Sequence, residues 1–250
     1  SELADYDLNI EDASKEAHIR RAIILIAKIP AIVSAWNRIR SGHHVLDPLE
    51  KVSHAANFLY MLRGVEPSPE EAKVMDICLI LHAEHSFNAS TFAAREIAST
   101  RAHLYASIGG AIGALSGELH GGANVQVMKM LLEIGDPANV DRWVANRLQS
   151  GGRIMGMGHA VYRTTDPRAD ILARLSARIC REKNNKWYEI TRRVEEATKK
   201  WMLENKHQGI YPNVDLYSAS VYYSMGIPID LNTPIFATSR IAGWSAHVIE

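Results

Sequence analysis

The stretch SPEEAKVMDICLIL at residues 68–81 decides the fold class. Ser68 is placed to cap a helix, Pro69 suits the first helical position because its missing N–H would be unbonded there anyway, and Glu71 completes a capping box. Val74, Ile77, Cys78 and Leu81 then keep helical spacing. The same device recurs on the N-terminal side, where Asp47-Pro48-Leu49-Glu50 reads as cap, N1 proline and capping-box glutamate, and Gly64 stands where that helix should stop. Further apolar-periodic segments run over 19–40 with a break at Pro30, and over 139–148, 169–179 and 187–203. Sustained period-two alternation is missing, so the sequence predicts an all-α protein.

The 250 residues carry 28 Lys plus Arg against 28 Asp plus Glu, leaving a formal charge of zero and eleven histidines. That balance argues against a nucleic-acid binder or a polybasic membrane protein, both of which need a broad cationic field, but it leaves room for a small cationic pocket. With 47% hydrophobic and 22% charged residues, the chain can form one large domain or two modest ones. The best apolar run, residues 22–27, ends at Lys28 and is followed by Pro30, so no membrane-spanning segment is expected. Glu2, Asp5 and Asp7 open the chain, which does not resemble a signal peptide. Cys78 and Cys180 lie far apart within helix-like patterns and read as core thiols, with no zinc motif around them. A reducing, cytoplasmic setting fits.

Glycine is uneven: Gly109, Gly110, Gly113, Gly117, Gly121 and Gly122 crowd one stretch, and Gly151, Gly152, Gly156 and Gly158 another. Each interrupts helical sequence, so either close helix packing and tight connections or backbone brought against a ligand must keep it there. Neither stretch follows a strand as GxGxxG or ends in a Walker lysine, which disfavours a nucleotide phosphate cradle.

Four segments place ionisable residues beside glycine, asparagine or proline. In HAEHSFNAST (82–91), His82 and His85 stand one helical turn apart and could face one pocket. The HExxH spacing of a metal site is absent, so a structural histidine is favoured over a ligand. In GELHGGAN (117–124), His120 precedes a helical run. The positive end of that helix would disfavour imidazolium and keep a neutral donor, although a lone histidine there is more often a cap or turn residue. In GHAVYRTTDPRAD (158–170), His159 is followed by Arg163 and Arg168, and Asp166-Pro167 reads as a helix start. Arginines there suit a carboxylate or phosphate, against the alternative of a solvated loop. In NVDLYS (213–218), Asp215 sits in apolar surroundings that would raise its pKa toward a general base's range if desolvated; otherwise it is an N-cap. Together these groups suit removal of a proton next to a carbonyl in an anion-binding site.

The same four strings, in that order and rough spacing, resemble the citrate synthase family, and the likeness runs from about residue 75 to the end. The resemblance implies condensation of oxaloacetate with acetyl-CoA, then hydrolysis of citryl-CoA to citrate and CoA. Asp215 would take the methyl proton, His120 would stabilise the enol oxygen, and His159 would polarise and protonate the oxaloacetate carbonyl. His85, His159, Arg168 and Arg240 would hold oxaloacetate, and Arg163 would contact CoA phosphate, with backbone at 151–158 lining the adenine pocket. No metal and no separate cofactor are implied, acetyl-CoA being a substrate. The fold implied is a large helical domain (1–121 and 227–250) and a smaller mobile one (122–226) that closes over the substrates, in a homodimer or higher oligomer. Glu118 and Ala219 stand where many members have proline and glycine. Family chains extend beyond both ends of this one, and their C-terminal part supplies an arginine to the neighbouring subunit's site, which leaves a fragment, an incompletely represented chain and a shortened paralogue as the alternatives. The rival readings are 2-methylcitrate synthase, acting on propionyl-CoA, and a non-catalytic homologue that binds ligand or assembles.

Overall fold

The computed structural model describes residues 2–118, 120–159, 162 and 164–250. Its helices are α1 (Lys15–Arg40), α2 (His54–Arg63), α3 (Pro69–His82), α4 (Ala89–Ser99), α5 (Leu104–Leu115), α6 (Ala123–Ile134), α7 (Val140–Gln149), α8 (Pro167–Glu182), α9 (Trp187–Lys206), α10 (Val214–Ser224) and α11 (Asn232–Ile249). Among the described residues the only β-type pairing is an isolated antiparallel bridge, Met157 with Pro212. The all-α expectation is met. The chain divides into two compact units, Ser1–Gly121 with Thr233–Glu250, and Gly122–Asn232. The second crossing therefore falls at Asn232 and Thr233 rather than near 226.

In the first unit, α4 and α5 pack tightly on each other, and α2 bridges α1 and α3. Leu25, Ala94, Leu104, Ile108, Leu115, Ile241 and Trp244 share one buried cluster. A methyl on Gly110 would overlap the Ile97 side chain, so close helix packing accounts for that glycine. The capping box of α3 forms as read: Ser68 Oγ accepts from the Glu71 N–H (3.1 Å) and Glu71 Oε2 from the Ser68 N–H (2.9 Å). Burial of Val74, Met75, Cys78 and Leu79 then fixes its inner face.

Three expectations are corrected. Helix α1 runs through Pro30 without ending, giving 26 residues whose most apolar window has a mean hydropathy of 1.5, which by length and composition alone is enough to cross a membrane. Pro30 removes only one helical N–H and is itself buried, and the inward face changes there: Ala17, Arg21, Ala22 and Leu25 are buried before it, Ser34 and Asn37 after it. Helix α2 starts at the Ser53 cap, not at Asp47. The Asn57 side chain accepts from the Leu49 N–H and donates to its carbonyl, and Lys51 adopts φ 62°, which breaks any helix begun at Pro48. Gly64 does end α2, in the left-handed conformation. Finally, α3 stops at His82, so His85 lies on the following loop and the two histidines do not share a helical face.

The second unit is built around α10, which packs against α8, α6 and α9. Leu216, Tyr217, Ser218, Ala219, Ser220, Val221 and Tyr222 are all buried, so this helix is inaccessible over most of its circumference. Small side chains let α8 approach it closely, and Ser176 and Ser220 hydroxyls meet at 2.7 Å across the seam. Cys180 is buried in the same seam and Cys78 in the first unit; both are free thiols.

Candidate active site

In the first unit, the segment after α5 is reversed by a pair of main-chain bonds, Gly121 N–H to the Leu115 carbonyl (2.9 Å) and His120 N–H to that of Gly117 (3.0 Å). A Cβ on Gly121 would overlap the Leu115 oxygen, which is why glycine follows the histidine. The turn sets His120 against the start of α4. His120 Nε2 accepts the Ser90 backbone N–H at 3.3 Å and lies 2.7 Å from the Ser90 hydroxyl. Trp244 Nε1–H fixes that hydroxyl from α11 at 3.1 Å. A backbone N–H can only donate, so the Nε2 lone pair is engaged and the proton resides on Nδ1. Burial, assisted by the charge of Arg240, pushes the His120 pKa below its ordinary value of 6.5. The ring is therefore a neutral Nδ1–H donor at neutral pH.

Arg240 on α11 is buried, its Nε–H donating to the His82 carbonyl at 2.7 Å and its guanidinium lying 4.6 Å over the Phe236 ring. It is placed by close backbone packing, because Gly243, one turn further, donates its N–H to the Ala83 carbonyl. His82 itself is core: fully buried, with Nδ1 2.7 Å from the Cys78 carbonyl. The half-buried His85 sits on the loop between α3 and α4, whose carbonyl accepts from Asn88 Nδ2. Among the described residues no cluster of three or more His, Cys, Asp or Glu is disposed to hold a metal.

In the second unit, the loop before His159 is zipped to the loop before α10. Gly158 N–H donates to the Tyr211 carbonyl (2.7 Å) and Asn213 N–H to that of Gly156 (2.9 Å). Gly156 has φ +81° and a Cβ there would come within 2.9 Å of the Leu216 Cα, so conformation and space both demand glycine. His159 Nδ1 accepts the Tyr162 N–H at 3.1 Å, which places its proton on Nε2, the tautomer opposite to that of His120. Burial lowers the His159 pKa; Asp166, with its oxygen 3.8 Å from Nε2, opposes this and Arg168 adds to it.

Asp166 is fully buried and caps α8. Burial alone would raise its pKa, but the Arg168 hydrogen bonds and charge outweigh that and hold the carboxyl lower than 3.8. Arg168 grips it through Nε (3.0 Å) and Nη2 (2.7 Å), a forked pair that fixes the guanidinium plane. The arginine read as an oxaloacetate contact is thus itself positioned by the aspartate two residues earlier. Asp215 lies in the first turn of α10, half-buried, and is not the cap: Asn213 Oδ1 accepts the Asp215 N–H at 2.9 Å. Beside it, a cavity of about 330 Å³ is lined by Arg153, Met155, Gly156, Thr198, Ile210 and Asn213. Arg163 lies outside the described residues.

The structure thus groups His120 with Arg240 in one unit, and His159 with Arg168 in the other, where Asp215 joins them through the zipped loops. Sequence reasoning missed Ser90, Asp166 as an arginine clamp, Asn213 and Arg153. Ser90 and Asn213 lay inside quoted motifs, but the signal for their roles is tertiary.

The family described as citrate synthase, C-terminal domain, matches residues 1–250. The protein named citrate synthase of Haloferax volcanii is 46% identical over 250 residues, covering 98% of this chain and 64% of its own length. A Bacillus subtilis protein named citrate/2-methylcitrate synthase is 42% identical, covering all of this chain and 66% of its own. Among solved structures, the ternary complex of Thermoplasma acidophilum citrate synthase with carboxymethyl coenzyme A and oxaloacetate matches with a TM-score of 0.91 at 34% identity, covering 100% of this chain and 66% of that one. The chain therefore spans about two thirds of the length of the proteins it matches.

Proposed function

The chain belongs to the citrate synthase family, and we propose that it carries the chemistry of a citrate synthase, joining the methyl carbon of acetyl-CoA to the keto carbon of oxaloacetate. The observation that carries this reading is the pair of neutral histidines with opposite tautomers, His120 presenting Nδ1–H and His159 Nε2–H. A crossed condensation needs two such donors, one for each carbonyl oxygen that gains charge.

Asp215 removes a methyl proton while the His120 Nδ1–H stabilises the oxygen of the resulting enolate. Sharing the task between a base and a donor lowers the barrier to deprotonating a weak carbon acid. The enolate carbon attacks the keto carbon as the carbonyl π pair moves onto its oxygen, which stays bound, takes the His159 Nε2 proton and becomes the hydroxyl of citryl-CoA. Water then cleaves the thioester, releasing citrate and CoA. His85, Arg168 and Arg240 bind the two carboxylates of oxaloacetate, and the fixed plane of the Arg168 guanidinium orients one of them. Arg163 takes a CoA phosphate, and the cavity edged by Arg153 and the Gly156 backbone suits the nucleotide end. No metal or bound cofactor takes part.

The proposal includes a homodimer in a cytoplasmic setting. Ile23, Ile32, Trp36 and Ile39 on α1 and Phe92 on α4 expose large apolar surface of the kind a second copy would cover, and a Cβ on Gly109 or Gly113 of α5 would meet only open space. Propionyl-CoA is the second acyl donor to test, since one methylene is worth only about 1–3 kcal/mol in an apolar pocket and a relative carries both names. Thiol release from each acyl-CoA with oxaloacetate decides: higher kcat/KM with acetyl-CoA is expected. A preference for propionyl-CoA would make it a 2-methylcitrate synthase, and no turnover with either would favour a non-catalytic homologue.

A further inference from the structure

Asn213 does two jobs with one side chain. Its Oδ1 accepts the Asp215 N–H at 2.9 Å and caps α10, while its Nδ2 donates to the Gly158 carbonyl at 3.0 Å. Gly158 immediately precedes His159, and Asp215 lies in the turn that Asn213 caps. The main-chain zipper, with Gly158 bonded to Tyr211 and Asn213 to Gly156, joins loop to loop but stops short of the helix. Within the described contacts, the Asn213 amide continues the tie from the His159 loop to the first turn of α10.

We infer that Asn213 is a positioning residue that sets the register between His159 and Asp215, so that the base and the ketone-polarising donor are held at a fixed separation. The inference rests on the roles given to those two residues above. An amide fits the task because it alone offers an acceptor and a donor on one short, planar group. Serine, threonine and aspartate cap helices comparably; serine and threonine fall short of the Gly158 oxygen, and aspartate would set an acceptor against it.

The two half-tasks can be separated. Exchange of acyl-CoA α-protons with D₂O, in the presence of a 2-hydroxy dicarboxylate that cannot accept the enolate, needs Asp215 and His120 but not attack on a ketone. Condensation needs His159 and Asp215 in register. In the full-length protein, Asn213→Ser retains the cap, so exchange should stay within about threefold while kcat for condensation falls about 10- to 100-fold, the loss expected from misplacement on the ångström scale. KM for acetyl-CoA should hold, and Asn213→Ala should lose exchange as well. Wild-type condensation by Asn213→Ser would overturn the inference. So would an equal loss of exchange and condensation, which would reduce Asn213 to a cap, or a raised KM with unchanged kcat, which would make it a ligand contact of the neighbouring cavity. An Asp215→Ala control separates the two levels: if it exchanges normally, the assignment of the base fails; if it is inactive while Asn213→Ser behaves as wild type, only the register inference fails.

Discussion

His120 and His159 are the same side chain given opposite tautomers by one backbone N–H each, Ser90 in one case and Tyr162 in the other. Both have lowered pKa values, and the sign of the consequence is definite. A neutral donor is lost when pH falls through the folded pKa, which lies below 6.5 for each. The histidine-dependent acid limb of kcat should therefore fall below pH 6.5, as a pH–rate profile will show; a limb above 6.5 would contradict the burial of these rings. The same shifts make the unfolded chain the better proton binder, so this contribution to stability is lost as pH falls from 6.5 to the folded values and is constant below them. Asp166 acts in the opposite chemical class. Its depressed pKa contributes stability that is present above 3.8 and disappears as pH falls through the folded value. Asp166→Asn keeps a capping side chain but leaves Arg168 without its countercharge, so chemical denaturation should register a loss of about 3 kcal/mol, and KM for oxaloacetate should rise because the guanidinium is no longer oriented. At this level the sequence offered His120, His159 and Asp215 as candidates only in combination, with their roles implied by the family resemblance. It could not identify Ser90 or the Asp166 clamp, because an alcohol and an N-cap look the same whether or not another segment's side chain meets them.

Helices were legible where their ends carry their own instructions. The α3 capping box, the Asp166-Pro167 start of α8 and the Gly64 stop of α2 depend on neighbours within four residues, and all three stand as read. Pro30 and the Asp47-Pro48 motif misled because tertiary contacts decide them: a buried proline remains in a helix that buries a different face on each side of it, and the Asn57 amide holds Leu49 in a turn. Helices α5 and α11 show what glycine does inside a helix when propensity is overruled by packing. At Gly243 the backbone of α11 touches the Ala83 carbonyl so closely that a methyl group must force the helices apart. Gly243→Ala should cost about 1–3 kcal/mol from overpacking, measured by thermal or denaturant unfolding. It should also shift Arg240 away from the His82 carbonyl and raise KM for oxaloacetate without a comparable effect on KM for acetyl-CoA. Equal stability and unchanged kinetics would show that the contact is not a constraint.

The all-α class follows from the pattern of caps and apolar stripes and the two-domain layout only from the family resemblance, while the neutral overall charge conceals local concentrations: Arg240 beside His120 in one unit, Arg168 and Arg153 in the other. Apolar surface is similarly uneven. Helix α1 buries a different face on each side of Pro30 and leaves Ile23, Ile32, Trp36 and Ile39 outside. If a second copy covers that face, Trp36→Glu should shift the sedimentation coefficient from dimer toward monomer at micromolar concentration, and an unchanged dimer would place the interface elsewhere. The central claim is that Asp215 abstracts the proton that begins condensation. Its most direct measurement is thiol release from acetyl-CoA in the presence of oxaloacetate by the full-length protein and its Asp215→Ala variant. The account predicts turnover that falls by about 10²- to 10⁴-fold in the variant, the worth of a positioned general base, whereas equal turnover by the two proteins would contradict it.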